Sequence, residues 1–218
     1  MAVDAVIFDL DGVLVDSEPL WDDVRRRFSV ANGGRWSADA QRTMMGMSSG
    51  EWAHFMRSEL GVALPEPEII RGVVDDMAAR YEAGVPLLPG AGDAVQRLSA
   101  RWPLGLASSS NRPLIDAVLR ATGLDAHFAA TVSSEEVARG KPAPDVYLEV
   151  SHRLGVSPSR STAIEDSTNG LLAARAAGMR VVAVPSGAFP PEPEVVADAD
   201  ATVSDLDMLT SEVIDPDG

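Results

Sequence analysis

The chain has 218 residues, of which 45% are hydrophobic and 23% charged, with a formal net charge of −15. That length builds one large or two small domains with an ample core, while no apolar run reaches the roughly 20 residues of a membrane span. So acidic a composition argues against binding nucleic-acid phosphates as the main task, which calls for a basic patch, and without cysteine the chain has no disulfides and no thiolate metal sites.

The first predicted strand begins at about Val3, which leaves no room for a signal or transit peptide, and a cytoplasmic location is expected. Val3 to Phe8 is apolar on both faces, as suits the centre of a parallel sheet. It ends in Asp9-Leu10-Asp11-Gly12. In extended backbone, residues two apart point to the same side, so Asp9 and Asp11 converge. Two like charges at that spacing need a cation or a proton to settle them. A strand end with acidic loop residues is the plain alternative for an isolated Asp-x-Asp.

Next comes a helical stretch. Ser17 is placed to cap a helix whose apolar positions are Leu20, Trp21, Val24 and Phe28, stopped at Gly33-Gly34. A second helix is expected over 38–45. Ser48 and Glu51 make a capping box ahead of the stripe Trp52, Phe55, Met56 and Leu60. Pro65-Glu66-Pro67 opens a further helix with the stripe Ile69, Ile70, Val73, Val74, Met77 and Tyr81. The Met and Trp residues in this stretch read as core.

From Gly90 the pattern changes. Helices are expected over 93–100, 113–121, 145–154 and 170–177, and strands over 104–107, 128–132, 162–164, 180–184 and 201–203. Gly90-Ala91-Gly92 lacks the third glycine of a dinucleotide fingerprint and reads as a turn. A long loop is expected from Pro185 to Pro193, and the last four residues are expected to be loose. Strands alternating with helices imply a parallel sheet covered on both faces. The expected fold is therefore α/β, a Rossmann-like parallel sheet formed by residues 1–16 and 86–218, with an all-helical cap domain, residues 17–85, inserted after the first strand.

Functional groups of such a sheet gather at the C-terminal ends of its strands. Those ends carry Asp9 and Asp11, then Ser108, then Glu165 and Asp166. Lys141, the one lysine beside seventeen arginines, lies in the loop leading to the next helix. Each residue alone has a bland reading as turn, cap or solvated charge. Together, acids suit a hard divalent cation with oxygen ligands, Mg²⁺ first, and a hydroxyl with a compact ammonium suits a phosphoryl group. A protein this acidic must attract an anion through a local cationic site.

Phe8-Asp9-Leu10-Asp11-Gly12-Val13-Leu14-Val15-Asp16-Ser17-Glu18, Ala107-Ser108-Ser109-Ser110, Gly140-Lys141-Pro142-Ala143-Pro144-Asp145 and Ile164-Glu165-Asp166-Ser167-Thr168-Asn169-Gly170 resemble, in order, the four motifs of the haloacid dehalogenase superfamily. The branch they resemble is that of β-phosphoglucomutases and sugar-phosphate phosphatases. The resemblance implies Asp9 as the nucleophile that forms an aspartyl phosphate, ionised at neutral pH as an ordinary Asp near ~3.9 is. It implies Asp11 as general acid and base. Mg²⁺ would be bound by Asp9, the Asp11 carbonyl and Asp166, with Glu165 holding a metal-bound water. Ser108, Ser109 and Lys141 would bind phosphate, with Asn111 assisting.

Dehalogenases of the superfamily lack an acid at Asp11, so phosphate chemistry is favoured. The mutases carry a Lys before and an Arg three after the glycine matching Gly46, and a hinge His matching Trp21. Met45, Ser49 and Trp21 stand there in this chain, which favours a phosphatase over a phosphomutase. The neighbourhood of Met45, Met47 and Trp21 is either core or an apolar leaving-group pocket. The expected partner is a small phosphorylated metabolite, with no nucleic acid and no membrane, and a monomer is the default. A phospho-acceptor signalling domain and a non-catalytic module are the remote alternatives.

Overall fold

A computed structural model describes residues 2–185 and 189–218. Its strands are β1 (Ala5–Phe8), β2 (Leu104–Ser108), β3 (Phe128–Ser133), β4 (Ser161–Glu165), β5 (Arg180–Ala183) and β6 (Ala201–Thr202). They form one sheet in the order β3-β2-β1-β4-β5-β6, parallel at every pairing. The strands on either side of β1 run away from it in opposite directions along the sheet. Its C-terminal end therefore lies at the switch point where open α/β sheets bind ligands.

Alternation along β1 assigns the two faces. Val6 and Phe8 belong to one apolar cluster and Ile7 to the other. The first face is covered by α5 (Ala91–Ser99) and α6 (Arg112–Thr122), through Val95, Leu98, Leu114, Ile115 and Val118. The opposite face is covered by α7 (Asp145–Leu154) and α8 (Thr168–Ala176), through Val146, Tyr147, Val150, Leu171 and Ala174.

Four helices lie between β1 and α5: α1 (Glu18–Ala31), α2 (Ala40–Met44), α3 (Ser49–Ser58) and α4 (Glu66–Glu82). Each is amphipathic at the expected spacing, and Trp21, Val24, Trp52, Met56, Ile69, Val73, Met77 and Tyr81 are buried together. The Glu51 carboxylate accepts from Ser48 N at 2.8 Å and from Ser48 Oγ at 2.6 Å, which closes the first turn of α3. The outgoing and returning segments are tied to one another: Asp16 N donates to Pro86 O at 2.8 Å and Leu88 N to Leu14 O at 2.9 Å.

The structure departs from the sequence expectation in three places. Ser17 does not cap α1; its hydroxyl is drawn to Asp11 instead. The C-terminal residues are not loose as far as Asp215, which is 6% exposed. There Thr162 Oγ1 donates to Ile214 O and Arg180 to Val213 O, so the tail is fastened to the sheet edge. Two short helices, α9 (Pro193–Ala197) and α10 (Ser211–Ile214), were not foreseen because one turn is too short to show a helical period. Of the loop expected from Pro185 to Pro193, residues 186–188 lie outside the described residues. No described helix is long and apolar enough to cross a membrane.

Candidate active site

β1 lies between β2 and β4, with Phe8 pairing with both Leu106 and Ile164, and the two neighbours run one or two residues further, to Ser108 and Glu165. The residues just beyond are thereby set side by side: Asp9 after β1, Ser108 closing β2, and Glu165 with Asp166 at the end of β4. Gly12 makes the turn out of β1 with φ +80 and lies so close to Asp166 that a Cβ there would fall 1.9 Å from Asp166 Oδ2. Only glycine meets both conditions at that position.

Lys141 reaches the centre of this group from the loop before α7, and it is 1% exposed. Its Nζ donates to Asp9 Oδ1 at 2.8 Å, Glu165 Oε1 at 2.6 Å and Ala107 O at 3.0 Å, which uses all three protons. Burial opposes its charge, but Asp9 and Glu165 outweigh burial and push the ammonium above its ordinary pKa. Tyr147 donates its hydroxyl to Glu165 Oε1 at 2.6 Å and places its ring 5.1 Å from the ammonium. Glu165 Oε2 accepts from Asp166 N, Ser167 N and Ser167 Oγ. Both oxygens of Glu165 are thus engaged by protein donors.

Asp9, Glu165 and Asp166 are buried, with a carboxylate oxygen of each within 4.8 Å of the others. Desolvation pushes Asp9 well above the ordinary carboxylate range, helped by Glu165 and Asp11 and opposed by Lys141. Asp166 is pushed up likewise, by desolvation first and then by Glu165 and Asp9. Its Oδ1 is buried with no hydrogen-bond partner, an expensive condition for an acceptor in the interior. Hard oxygen donors around an orphaned carboxylate oxygen, with no nitrogen or sulfur among them, fit Mg²⁺ or a similar cation.

Asp11 is held apart from that cluster. Its Oδ1 accepts from Ser17 Oγ at 2.5 Å and Trp21 Nε1 at 3.0 Å, and its Oδ2 from Ser110 Oγ at 2.7 Å. Ser108 lies 3.5 Å from the same oxygen and accepts from Ser110 N at 3.0 Å. Ser109 turns to the helical insertion and donates to Gly46 O at 2.6 Å, while Asn111 donates to Glu135. Asp9, Asp11, Ser108, Lys141, Glu165 and Asp166 are therefore brought together, whereas the side chains of Ser109 and Asn111 point to other partners.

The cavity onto which Asp9 and Asp11 open is also lined by Glu18, Trp21, Arg25, Met44, Met45 and Met47. Ser49 is buried under the start of α3 and does not line it. Sequence reasoning missed Glu18, Arg25, Gln41, Ser110 and Tyr147. For Arg25 a signal existed: it stands four after Trp21, on the buried stripe of α1, although the Arg25-Arg26-Arg27 run reads as a solvated face. Glu18 is pushed to about 7 by burial and then by Asp11.

A family model described as haloacid dehalogenase-like hydrolase matches residues 3–178. Hexitol phosphatase B of Escherichia coli (strain K12) is 36% identical over 213 residues, covering 95% of this chain and 94% of that protein. The phosphorylated carbohydrates phosphatase of Thermotoga maritima is 32% identical, covering 81% of this chain and 82% of its own length. The solved structure of CbbY from Rhodobacter sphaeroides in complex with phosphate matches with a TM-score of 0.82 at 30% identity, over 95% of this chain and 96% of that one. A mutant CbbY in complex with xylulose-(1,5)-bisphosphate matches with a TM-score of 0.85 at 29% identity, over 98% and 99% of the two chains. The chain belongs to the haloacid dehalogenase-like hydrolase family. Within that family it is a phosphoric monoester hydrolase.

Proposed function

We propose that this protein is a Mg²⁺-dependent phosphatase that hydrolyses the monoester of a small phosphorylated sugar or polyol through an aspartyl phosphate on Asp9. The observation that carries the reading is the division of the two acids. Asp9 accepts from the Lys141 ammonium and has a carboxylate oxygen within 4.8 Å of one of Asp166, whose Oδ1 is orphaned, while Asp11 is held separately by hydroxyls and an indole. The names of the related hexitol and carbohydrate phosphatases support the substrate class.

Lys141 holds Asp9 Oδ1, which leaves Oδ2 to attack phosphorus. The bond from phosphorus to the ester oxygen breaks, and Asp11 gives its proton to that leaving oxygen. Asp11 then takes a proton from the water that attacks the phosphorus of the aspartyl phosphate, and inorganic phosphate leaves with Asp9 restored. Ser17 and Ser110 suit a shuttle, because a hydroxyl can donate to an ionised carboxylate or turn to accept from a protonated one. Trp21 Nε1 only donates and so fixes the orientation of Asp11. Asp9, Asp166 and the Asp11 carbonyl would hold Mg²⁺, which when bound supplies positive charge against the phosphoryl oxygens. Glu165, with both oxygens engaged, positions Lys141 and the Asp166 backbone.

Phosphorus NMR of the protein incubated with Mg²⁺ and a panel of sugar phosphates tests the reading. Free phosphate is expected. An isomerised sugar phosphate would instead establish a phosphomutase, and stable phosphorylation of Asp9 without turnover would favour a signalling role.

Metal binding has its own readout. Mg²⁺ at about a hundred times its dissociation constant stabilises a folded protein by ~2.7 kcal/mol. Thermal unfolding should therefore shift upward with Mg²⁺, and the shift should vanish in Asp166→Asn. An equal shift in the variant would place the ion elsewhere.

Residues 1–16 and 86–218 form the catalytic core in this reading, and 17–85 the cap that closes over it. Two hydrogen bonds latch the cap loop to the core: Ser109 Oγ to Gly46 O at 2.6 Å, and Asn169 Nδ2 to Met45 O at 2.7 Å. Losing one such bond costs about 1 kcal/mol. Asn169→Ala should thus raise KM roughly fivefold with the fold intact. Unchanged kinetics would remove this latch from the closing step.

A further inference from the structure

One cation in the cavity has no role in the chemistry described. Arg25 is 5% exposed and lines the same cavity as Asp9 and Asp11. Its guanidinium carbon lies 4.4 Å from the Trp21 ring centroid and 5.1 Å from that of Trp52. Its Nη1 donates to Gln41 Oε1 at 3.2 Å, and its Nε is buried with no partner. Gln41 passes the connection on, donating Nε2 to Glu18 Oε2 at 2.6 Å.

We propose that Arg25 receives the end of the substrate remote from the transferred phosphoryl group, and that this end is itself anionic, a carboxylate or a second phosphate. The inference rests on the phosphatase reading and names a substrate class within it.

Three observations carry it. First, buried guanidinium groups are normally paired with carboxylates, because an uncompensated charge in the interior is costly. Arg25 has no carboxylate within ion-pair distance among the described residues, although acids crowd the same cavity. Glu18 does not pair with it directly: Gln41 bridges the two, accepting from Arg25 Nη1 at 3.2 Å and donating to Glu18 Oε2 at 2.6 Å, so Glu18 acts on the guanidinium only through space. Secondly, the fork is oriented but unspent. The two indoles and one amide fix its plane, while most of its five N–H groups stay available for bidentate recognition of a planar or tetrahedral anion. Thirdly, the distance suits a small molecule. One indole spans the gap, touching Asp11 through Nε1 at 3.0 Å and Arg25 through its face. A chain of a few carbons would therefore reach from the phosphoryl site to Arg25.

Steady-state kinetics of the intact protein with Mg²⁺ decide the matter, using three sets of short phosphate esters of matched length. One set has uncharged polyol or aldose tails, one has sugar-acid tails ending in a carboxylate, and one has a second phosphate. The wild type is expected to favour one anionic set by at least ~10-fold in kcat/KM, mostly through KM, and the preferred set tells carboxylate from phosphate. Arg25→Gln should lower kcat/KM for that set by ~10²-fold, in line with loss of charge-assisted hydrogen bonds, and far less for uncharged tails. Arg25→Lys should keep part of the preference, since it retains the charge and loses the fork. Circular dichroism and thermal unfolding check that each variant is folded. If Arg25→Gln does not fold, the wild-type preference and Arg25→Lys decide. Equal rates on charged and uncharged tails, or an equal loss on all three sets in the variant, would overturn the inference while leaving the phosphatase reading intact. No turnover of any ester overturns both.

Discussion

Asp9→Asn is expected to lower kcat for ester hydrolysis by at least ~10⁴-fold, the scale seen when a covalent nucleophile is removed, in a protein that stays folded. The amide keeps the volume of the side chain but cannot attack phosphorus. Stability should change little, for two opposing reasons. Lys141 loses the charge of its 2.8 Å partner, whose amide oxygen can still accept, and keeps Glu165 at 2.6 Å. At the same time a carboxylate whose burial is unfavourable, as its raised pKa records, is taken out of the acid cluster. Phosphate release, circular dichroism and intact-protein mass spectrometry check this together. The variant should show native spectra, no released phosphate and no trapped phosphoryl group. Retained turnover would remove Asp9 as nucleophile.

Lys141→Met should be the costlier change for the fold. The thioether fills much the same space, but Asp9 and Glu165 are left as buried acids without their cation, a situation that costs about 3–5 kcal/mol. Urea unfolding in the presence of chelator measures it as a lower midpoint. The pH dependence has a definite sign. In the wild type the Lys141 pKa is raised on folding, so its stabilisation is present below the ordinary lysine value of ~10.4 and is lost as pH rises through the folded value. In the variant that contribution is absent. The Asp9 pKa is already raised with Lys141 present, and without it the rise grows. Above the ordinary ~3.9 the folded state then binds more protons than the unfolded state, so stability falls as pH rises. The gap between wild type and variant should therefore be narrow near pH ~4 and wide near pH ~7. A gap independent of pH over that range would show that packing, not charge, is what Lys141 contributes.

Mg²⁺ should narrow the same gap at neutral pH, because a cation bound by Asp9 and Asp166 answers the acids that Lys141 no longer offsets. Wild type and variant unfolded with and without Mg²⁺ give this as a coupling, separate from any assay of turnover.

Much of the fold was legible in one chain because its signals are local. Period-two and period-3.6 apolar spacing marks strands and helices wherever several turns or residues repeat it. That is why α7 is found at Asp145–Leu154 as expected, and why one-turn α9 and α10 were missed. A glycine after Asp11 announced a tight exit from β1, but the reason it must be glycine, the Asp166 carboxylate pressed against it, lies 154 residues away in a different motif.

Spacing within the sequence also nominated Asp9, Asp11, Ser108, Lys141, Glu165 and Asp166, because the ends of parallel strands share one edge. It did not apportion them. Ser17 looked like a helix cap until Asp11 came within 2.5 Å of its hydroxyl, and Trp21 looked like packing until its indole N–H met the same carboxylate. Glu165 looked like a group for metal-bound water, yet its oxygens are occupied by Lys141, Tyr147, Ser167 and backbone N–H groups.

The sequence by itself determined the strand and helix order, the family resemblance and the acids at the first strand end, because each depends on residues close together in the chain. Tertiary structure alone decided which groups Lys141 binds, which of Asp9 and Asp11 stands beside Asp166, and that Arg25 faces the cavity unpaired. Those are through-space relations between residues far apart in the chain, 132 for Lys141 and Asp9 and 24 for Lys141 and Glu165, and amphipathic spacing tells which side of a helix is buried, not what it is buried against.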